Sequence, residues 1–516
     1  MSEQPAPDLE FVETWRSLVF LTPTEVWKIK KPVHLGDLDY TTLDARRRAC
    51  ESELALNHVL APDVYHGLTP VTKGPDGRRR IGGSGAPVDW AVHMARLPDR
   101  ERADQRLEED RLDDDAVRAI AHAIAAFHER APLVKSEMKG EPSAMLRYAI
   151  DLEPPRSATA PETPLPRASA EAADWQRKFL AEHAELFERR AAAGCLRDGH
   201  GNLSLEHVFV SDDGRVRIID RLEFAPHLRQ LDVCADIASL STDLAAAGRT
   251  DLAERFLADY AAEANDFDLY PLVDFYASLR ASLQGKLEWF YADHFGHDPL
   301  RADERRARAH RCFKLAVSAP RQACLPPAVV AVGGLVASGK STVAQHLGRE
   351  IGAPVISSDR TRDFLLGARL NEDLHEVHWE AHYDTGFADR VYDEVMRRAG
   401  AVLRSGRPVV LDGCFRLAAQ RSHARELAKQ FGHPFLFVEA RVPEDVCRQR
   451  LQERSLRDGV PDATWLEIAD ELRAQWEPMD ELPAEERETL DTSLPLVKNA
   501  ERLRARLPTW PAGLTN

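Results

Sequence analysis

Residues 334–341 read Gly-Leu-Val-Ala-Ser-Gly-Lys-Ser and match the pattern G-x-x-x-x-G-K-[ST]. In this pattern glycines let backbone N–H groups close on phosphate oxygens, the ammonium of Lys340 reaches the β- and γ-phosphates, and the Ser341 hydroxyl ligates Mg²⁺. An apolar run precedes the motif and an amphipathic segment follows it, which predicts strand, loop and helix. The alternative is a glycine-rich turn that binds nothing. The predicted phosphate-binding residues are Gly334, Leu335, Val336, Ala337, Ser338, Gly339, Lys340, Ser341 and Thr342.

Two acidic residues follow later apolar runs. Residues 355–362 predict a strand that ends in Asp359-x-x-Arg362. Asp359 could accept a proton from an attacking hydroxyl, and Arg362 could hold a substrate or a phosphate. The alternative is a helix N-cap aspartate with a surface arginine. Asp412 ends a second apolar strand and, with Ser341, could hold Mg²⁺; the alternative is an aspartate in a strand-end turn.

A basic helix is predicted near residue 450. Arg450, Arg454 and Arg457 recur at spacings of four and three residues, which places them on one helix face. Such a face could close over a triphosphate as a lid. The alternative is a solvated charged face.

The segments GLVASGKST, SSDRTR and VVLDGCF and the arginine-rich helix, in this order over residues 328–500, resemble the P-loop kinase family. That group includes small-molecule kinases, polynucleotide 5′-kinases and AAA-type, zeta-toxin-like proteins. The resemblance implies ATP and Mg²⁺, with Asp359 as base and Arg362 as substrate clamp. It also implies that Arg454 and Arg457 neutralise transition-state charge. One departure is Ala337, where many relatives carry glycine.

Four segments of the N-terminal region resemble the aminoglycoside-phosphotransferase branch of the protein-kinase-like fold. These are VWKIKKP, with Lys28 and Lys30 on one strand face, RRRACESELALN, DGHGNLSLEH and RIIDRLE. The resemblance implies a lysine paired with Glu53 rather than Glu51, and a metal-binding Asp220. The residues that it implies for this site are Lys30, Glu53, His200, Asn202, His207 and Asp220.

Two positions depart from that family's pattern. Asn202 stands where the family has its catalytic aspartate, and His207 stands where it has asparagine. An amide does not accept a proton at neutral pH, so a hydroxyl substrate loses its base. Imidazole is also a poor ligand for Mg²⁺. We therefore predict a kinase-like fold that is catalytically weakened or inactive and can still bind a nucleotide.

The elements that must position these residues predict two domains of mixed α/β and α+β class. The first, residues 1–320, is predicted to be bilobal and protein-kinase-like. The second, residues 326–516, is predicted to be a P-loop NTPase domain with a parallel sheet flanked by helices. Pro326 and Pro327 stop the preceding helix and mark the boundary. The proline-rich stretch 154–166 is interpreted as a mobile insert.

Composition restricts the classes of function. The net charge of -16 argues against bulk binding of nucleic acid. The seven cysteines form no C-x-x-C pair, which argues against a disulfide framework or a structural zinc site. The chain shows no signal peptide and no apolar run long enough to cross a bilayer. We expect a soluble cytoplasmic protein without a membrane partner.

Three functional hypotheses follow. In the first, the C-terminal domain is a kinase that transfers the γ-phosphoryl group of ATP to a hydroxyl of an unidentified small molecule or nucleic-acid end. In the second, that domain only hydrolyses or senses ATP and the kinase-like half recognises a ligand. In the third, both halves are kinases. Asp359 with Arg362 favours the first, because a switch ATPase needs no hydroxyl-activating base.

Overall fold

The structure is a computed structural model. It describes residues 9–14, 16–35, 38–134, 142–153, 164–294, 299–319, 325–367, 385–458 and 462–509. Among these residues, none of the helices combines the length and the apolar character that a membrane span requires. The proline-rich insert predicted at 154–166 lies largely outside the described residues.

Contacts divide the chain into two compact units. The first unit comprises residues 1–247 and 273–320, and the second comprises residues 248–272 and 321–516. The predicted single cut near residue 320 therefore differs from the observed grouping in one segment, residues 248–272. That segment precedes the sequence boundary in the chain and packs with the P-loop unit.

The first unit begins with a six-stranded antiparallel sheet. Its strand order is β1-β2-β3-β8-β6-β7, and β2 pairs with β3 with Leu18 opposite Ile29. Lys28 and Lys30, two residues apart on β3, share one face. Smaller pairs are β4–β5, β9–β12 and β10–β11. The strands are β1 Glu10–Glu13, β2 Ser17–Leu21, β3 Glu25–Lys30, β4 His34–Leu35, β5 Leu38–Asp39, β6 Tyr65–Lys73, β7 Arg79–Ile81, β8 Pro87–Ala95, β9 Leu196–Asp198, β10 Val208–Val210, β11 Val216–Ile218 and β12 Gln230–Asp232.

Helices complete the first unit. Helix α1 packs on the sheet through a cluster that includes Cys50, Val64 and Val92. At the start of α3 the Asp113 side chain accepts a hydrogen bond from the Ala116 N–H and caps the helix. The helices are α1 Leu43–His58, α2 Ala103–Glu108, α3 Asp114–Arg130, α4 Pro142–Asp151, α5 Arg167–Glu182, α6 Ala184–Ala192, α7 Pro226–Arg229, α8 Cys234–Ala246, α10 Tyr270–His294 and α11 Pro299–Ser318, with α9 in the second unit.

The second unit is a five-stranded sheet in which every pairing is parallel, in the order β14-β15-β13-β16-β17. Strands β13 to β16 are mostly apolar, as expected for a sheet covered on both faces, whereas the edge strand β17 is mostly polar. Val330, Val410 and Val438 pack with Leu347 of α12 and Leu503 of α18 in its main core. The elements are α9 Thr250–Glu263, β13 Val329–Gly333, α12 Lys340–Ile351, β14 Val355–Ser357, α13 Ser358–Leu365, α14 Thr385–Arg404, β15 Val409–Asp412, α15 Ala418–Gln430, β16 Phe435–Arg441, α16 Glu444–Asp458, α17 Asp462–Ala474, β17 Arg487–Asp491 and α18 Leu496–Arg504. The predicted fold class is confirmed in both units.

Ion pairs attach residues 248–272 to the second unit. Arg407 donates to Glu254 of α9 at 2.8 Å, and Arg397 of α14 donates to Asp268 at 2.8 Å. Arg398, which is 2% exposed, donates to Asn265 at 2.7 Å. The sequence boundary missed this segment because its partners lie more than a hundred residues further along the chain.

Candidate active site

The loop between β13 and α12 has the backbone that its glycines predict. Gly334 has φ of 150°, and a Cβ atom there would lie 2.5 Å from Ser338 Oγ and 2.6 Å from the Ala440 carbonyl oxygen. Gly339 has φ of 82° and caps the start of α12. Only glycine fits both positions without strain. The helix N-terminus therefore follows directly from the loop, which is the arrangement that binds phosphate.

The backbone conformation of Ala337 explains why glycine is common at this position in relatives. Its φ is 61°, in the left-handed region. A residue with a Cβ atom costs roughly 1–2 kcal/mol in that conformation. The left-handed backbone therefore disfavours alanine at this position.

Two side chains from outside the loop fix its carbonyl groups. The Thr492 hydroxyl donates to the Ser338 carbonyl at 2.5 Å. Arg450 donates to the Ala337 carbonyl at 3.3 Å and to the Thr492 carbonyl at 2.8 Å. Sequence reasoning placed Arg450 on a lid face and missed Thr492. No local pattern signals Thr492, since it follows β17, about 150 residues after the loop.

Asp412 lies at the carboxyl end of β15, opposite Val332 of β13 and Ser357 of β14. Ligands bind at this edge in open parallel sheets. Its carboxylate is 6% exposed, and Oδ1 is buried without a hydrogen-bond partner among the described residues. Desolvation raises the pKa of Asp412, although Lys340 and a hydrogen bond from Ser341 oppose this. Mg²⁺ takes oxygen ligands and is commonly bound through one or two carboxylates together with substrate phosphates, so a buried carboxylate beside a serine hydroxyl fits this ion.

Asp359 lies in the first turn of helix α13, and Ser357 is the N-cap. The prediction that the strand itself ends in Asp359 is therefore wrong; β14 stops two residues earlier. The Asp359 side chain is about 60% exposed, and Arg362 donates to its Oδ1 at 2.7 Å. Desolvation raises the pKa of Asp359, but the charges of Arg362 and Lys340 outweigh it and hold the pKa below its usual value.

Lys340 is at the centre of these charges. Burial lowers its pKa, but Cys414, Asp359 and Asp412 outweigh burial and the pKa is raised. Arg454 also acts on Lys340 and lies over the Trp465 ring, 4.1 Å from its centroid. The structure thus brings Lys340, Asp359, Asp412 and Arg454 together. The side chain of Arg457 lies outside the described residues.

In the first unit, Lys28 is the lysine beside Asp220. Its Nζ lies 2.5 Å from Asp220 Oδ1 and 2.8 Å from Glu53 Oε1. Lys30 is fully buried and pairs with Glu53 and Glu223 instead. The predicted pair of Lys30 with Glu53 is present, and the structure adds Lys28, which contacts both Glu53 and Asp220. Burial lowers the pKa of Lys28, but Asp220 and Glu53 raise it well above its usual value. The structure places Glu53, and not Glu51, beside both lysines.

Asn202 and His207 face the other side of Asp220. Asn202 Nδ2 donates to Asp220 Oδ2 at 3.3 Å, and His207 Nε2 lies 3.6 Å from the same oxygen. The His207 Nδ1–H donates to the Asn202 carbonyl at 2.8 Å. Desolvation raises the pKa of Asp220, but the charges of Lys28 and His207 lower it by more. The pKa is therefore well below its usual value.

A buried Asp236 holds the loop that carries Asn202, and sequence reasoning missed it. The carboxylate accepts hydrogen bonds from the backbone N–H groups of His200 at 2.6 Å and Gly201 at 2.8 Å. His128 Nε2 lies 3.2 Å from it. Burial lowers the pKa of His200 to about 4, so its imidazole is neutral at pH 7. Accordingly, its Nε2–H donates to the Ile219 carbonyl and its Nδ1 accepts from Asn202 N–H.

A cavity of about 640 Å³ opens beside this loop in the first unit. Gly199, Gly201 and Asn202 lie on its wall, and residues of α10 line the opposite side. Sequence reasoning did not identify it, because its walls come from distant segments.

Comparisons with known proteins agree with these observations. The model of the AAA domain family matches residues 329–478. Uncharacterized proteins of Mycobacterium tuberculosis and Mycobacterium bovis are each 31% identical to this chain over 470 residues, which cover 91% of this chain and 90% of theirs. The chain belongs to their family. Its second unit contains a P-loop kinase domain.

Further similarities are to kinases. A cytidylate kinase of Pyrobaculum calidifontis is 31% identical over 170 residues, which cover 28% of this chain and 89% of that protein. A choline/ethanolamine kinase family protein of Mesorhizobium loti is 14% identical, covering 62% of this chain and 93% of that one with a TM-score of 0.34. A kinase-like structure from Chloroflexus aurantiacus is 19% identical, covering 35% and 99% with a TM-score of 0.29. The sequence relationship supports a phosphotransferase.

Proposed function

We propose that the second unit transfers the terminal phosphoryl group of ATP to a hydroxyl of a small molecule or a nucleic-acid end. The observation that carries the proposal is the unpartnered Oδ1 of Asp412 beside Ser341, at the mouth of a loop whose carbonyls are tied back by Thr492 and Arg450. A loop held in this way presents N–H groups, and not carbonyls, to a phosphate.

The residues divide the work by charge. Lys340 would bind the phosphoryl group that is transferred, and Ser341 and Asp412 would hold Mg²⁺. When bound, Mg²⁺ supplies positive charge against the phosphate oxygens. Asp359 is the exposed carboxylate near Lys340 and would take the proton of the acceptor hydroxyl. Arg362 would orient the acceptor, and Arg454 would add positive charge on the lid side.

A second candidate function is a regulatory ATPase, and one observation favours it. Asp359 is ion-paired with Arg362, and its lowered pKa makes it a weaker proton acceptor. Phosphoryl transfer, however, depends more on positioning and charge than on proton removal, so a weak base does not exclude transfer. Water would be the acceptor in this second case.

An acceptor screen distinguishes the two functions. Full-length protein is incubated with ATP labelled at the γ-phosphate, Mg²⁺ and sugars, nucleosides, aminoglycosides, oligonucleotides or cytidylate, the last because one relative is named for it. We expect label to move to one acceptor class and the Lys340→Ala variant to transfer none. Release of labelled inorganic phosphate alone, with every acceptor, would support the regulatory ATPase instead.

For the first unit we propose a ligand-binding role without phosphoryl transfer of its own. The paired Lys28 and Asp220 and the amide of Asn202 support it. The neighbouring cavity, whose wall includes Asn202, would then bind a ligand that is not phosphorylated there.

A further inference from the structure

The cavity of the first unit is large enough for a small organic molecule. Its volume of about 640 Å³ lies within the usual 300–1,000 Å³ of ligand sites. Most of its wall is apolar, with leucines from several segments and the rings of Tyr148, Phe224, Tyr276 and Phe290. A molecule that fills it therefore has an apolar body.

The acidic residues on the wall already have partners. Asp232 accepts two hydrogen bonds from Arg190, at 2.6 and 2.8 Å. Asp236 accepts from backbone N–H groups, as described above. Glu153 is exposed at the rim and has an interaction of its own. None of them offers a free negative charge to the interior, and Asn202 presents an uncharged amide there.

Two basic residues on α10 are compensated much less. Arg280 lines the cavity, and among the described residues no hydrogen bond or ion pair engages its guanidinium, although its charge acts on the buried carboxyl of Asp243. Lys286 is 8% exposed, and its ammonium makes one hydrogen bond, to the Ile150 carbonyl at 2.7 Å. Burial lowers the pKa of Lys286, and the nearby charges of Asp151 and Glu153 offset this only in part. A buried ammonium retains two further donors that need partners.

We propose that this cavity binds a small amphipathic anion, with a carboxylate or phosphate head held by Arg280 and Lys286 and an apolar body against the aromatic and leucine side chains. The inference is independent of the phosphotransfer proposed for the second unit. An anionic head would supply the hydrogen bonds that these two cations lack, and such charge-assisted bonds are the stronger ones.

The test uses full-length protein and four probes with the same ten-carbon chain: decanoate, decyl phosphate, decanol and decyltrimethylammonium. Affinity is measured by isothermal titration calorimetry below the concentration at which each probe forms micelles. We expect one molecule of decanoate or decyl phosphate to bind per chain, at least about tenfold more tightly than decanol. The preference between decanoate and decyl phosphate identifies the head group. Equal binding of decanol, or tighter binding of the cationic probe, overturns the proposal.

Variants locate the site. Arg280→Gln and Lys286→Gln should each weaken the anionic probe that binds best by about tenfold and leave decanol unchanged. Lys314→Gln removes the same charge from an exposed position on α11 and should change nothing. Among the described residues Arg280 has no hydrogen-bonded partner to lose, only its charge interaction with Asp243, so its variant decides the matter even if Lys286→Gln does not fold. Unchanged affinity for the anion in Arg280→Gln, or equal weakening in Lys314→Gln, would show that the anion binds elsewhere.

Discussion

The two units contain similar charged residues in different states. In the first, Lys28 pairs with both Glu53 and Asp220, and Asn202 also donates to Asp220. In the second, Asp412 has a buried oxygen that accepts no hydrogen bond from the part of the chain that the structure describes, beside Lys340. A closed set of ion pairs must be opened before a phosphate or metal can bind, whereas an unpartnered carboxylate gains from binding one. The same residue types can thus favour stability in one unit and ligand binding in the other.

Removing one lysine from each unit should give the largest difference in activity between the two units. We expect Lys340→Ala to reduce ATP turnover by the full-length protein on the order of 10³-fold, because its charge acts on the transferred group. Lys28→Ala should leave most turnover intact. Both are measured as ADP released per chain, with Lys498→Ala, an exposed change in the second unit, as the control. The opposite result, with Lys28 essential and Lys340 dispensable, would move the chemistry to the first unit.

Asp359 tests whether the second unit needs a base. Asp359→Asn should lower transfer to the acceptor by at least about 10²-fold, since general bases contribute 10²–10⁴. Nucleotide affinity, measured by calorimetry with a non-hydrolysable ATP analogue, should stay the same because the loop and Lys340 provide it. Asp363→Asn, an exposed change on the same helix, is the matched control. Unchanged transfer would leave Asp359 only the role of a helix-start charge paired with Arg362.

Variants of Asn202 test whether the ion pairs of the first unit prevent phosphoryl transfer. In full-length Lys340→Ala protein, restoring a carboxylate with Asn202→Asp should give no measurable transfer, because Lys28 still holds Asp220 and His207 still faces it. Adding His207→Asn should then give a small gain in transfer, because the imidazole no longer faces Asp220. The full chain is used because a cut at residue 320 would separate residues 248–272 from their unit. Transfer at ordinary kinase rates by the Lys340→Ala protein itself would contradict the closed state.

His200 predicts the smallest effect, a pH dependence of stability in the first unit. Its pKa is lowered from 6.5 to about 4 in the folded protein. Above pH 6.5 the His200 imidazole is neutral in both the folded and the unfolded protein. Between pH 6.5 and 4 only the unfolded protein gains the proton. The free energy of unfolding therefore falls as the pH falls. The loss is limited to about 3 kcal/mol and is complete below pH 4.

The measurement compares denaturant unfolding of the first unit, followed by tryptophan fluorescence, at pH 7.5 and 5. His200→Gln should be less stable at pH 7.5 and should lose less stability on acidification than the unmodified protein. His310→Gln, at an exposed position of the same unit, should keep the full dependence. Equal pH dependence in His200→Gln would show that His200 is not the group that titrates.

The sequence by itself determined the fold class and the positions of most candidate residues. Gly334 and Gly339 are required by backbone geometry, and a strand, this loop and a helix leave few other arrangements. The apolar runs before Gly334 and at Asp412 predict parallel strands that end at one edge. Lys340, Ser341, Asp359 and Asp412 therefore come together for reasons that can be read locally.

The partners of these residues depend on the tertiary structure and could not be predicted from the sequence. Both lysines lie on the same strand face and pair with Glu53, but only the less deeply buried Lys28 reaches Asp220, and the sequence does not show this difference. Thr492 reaches the loop, and residues 248–272 join the second unit, through contacts between distant parts of the chain. The Asp412 oxygen that lacks a partner among the described residues lies where the ends of β13, β14 and β15 meet. Sequence patterns record periodicity along the chain, whereas burial and pairing depend on packing between segments that no local pattern encodes.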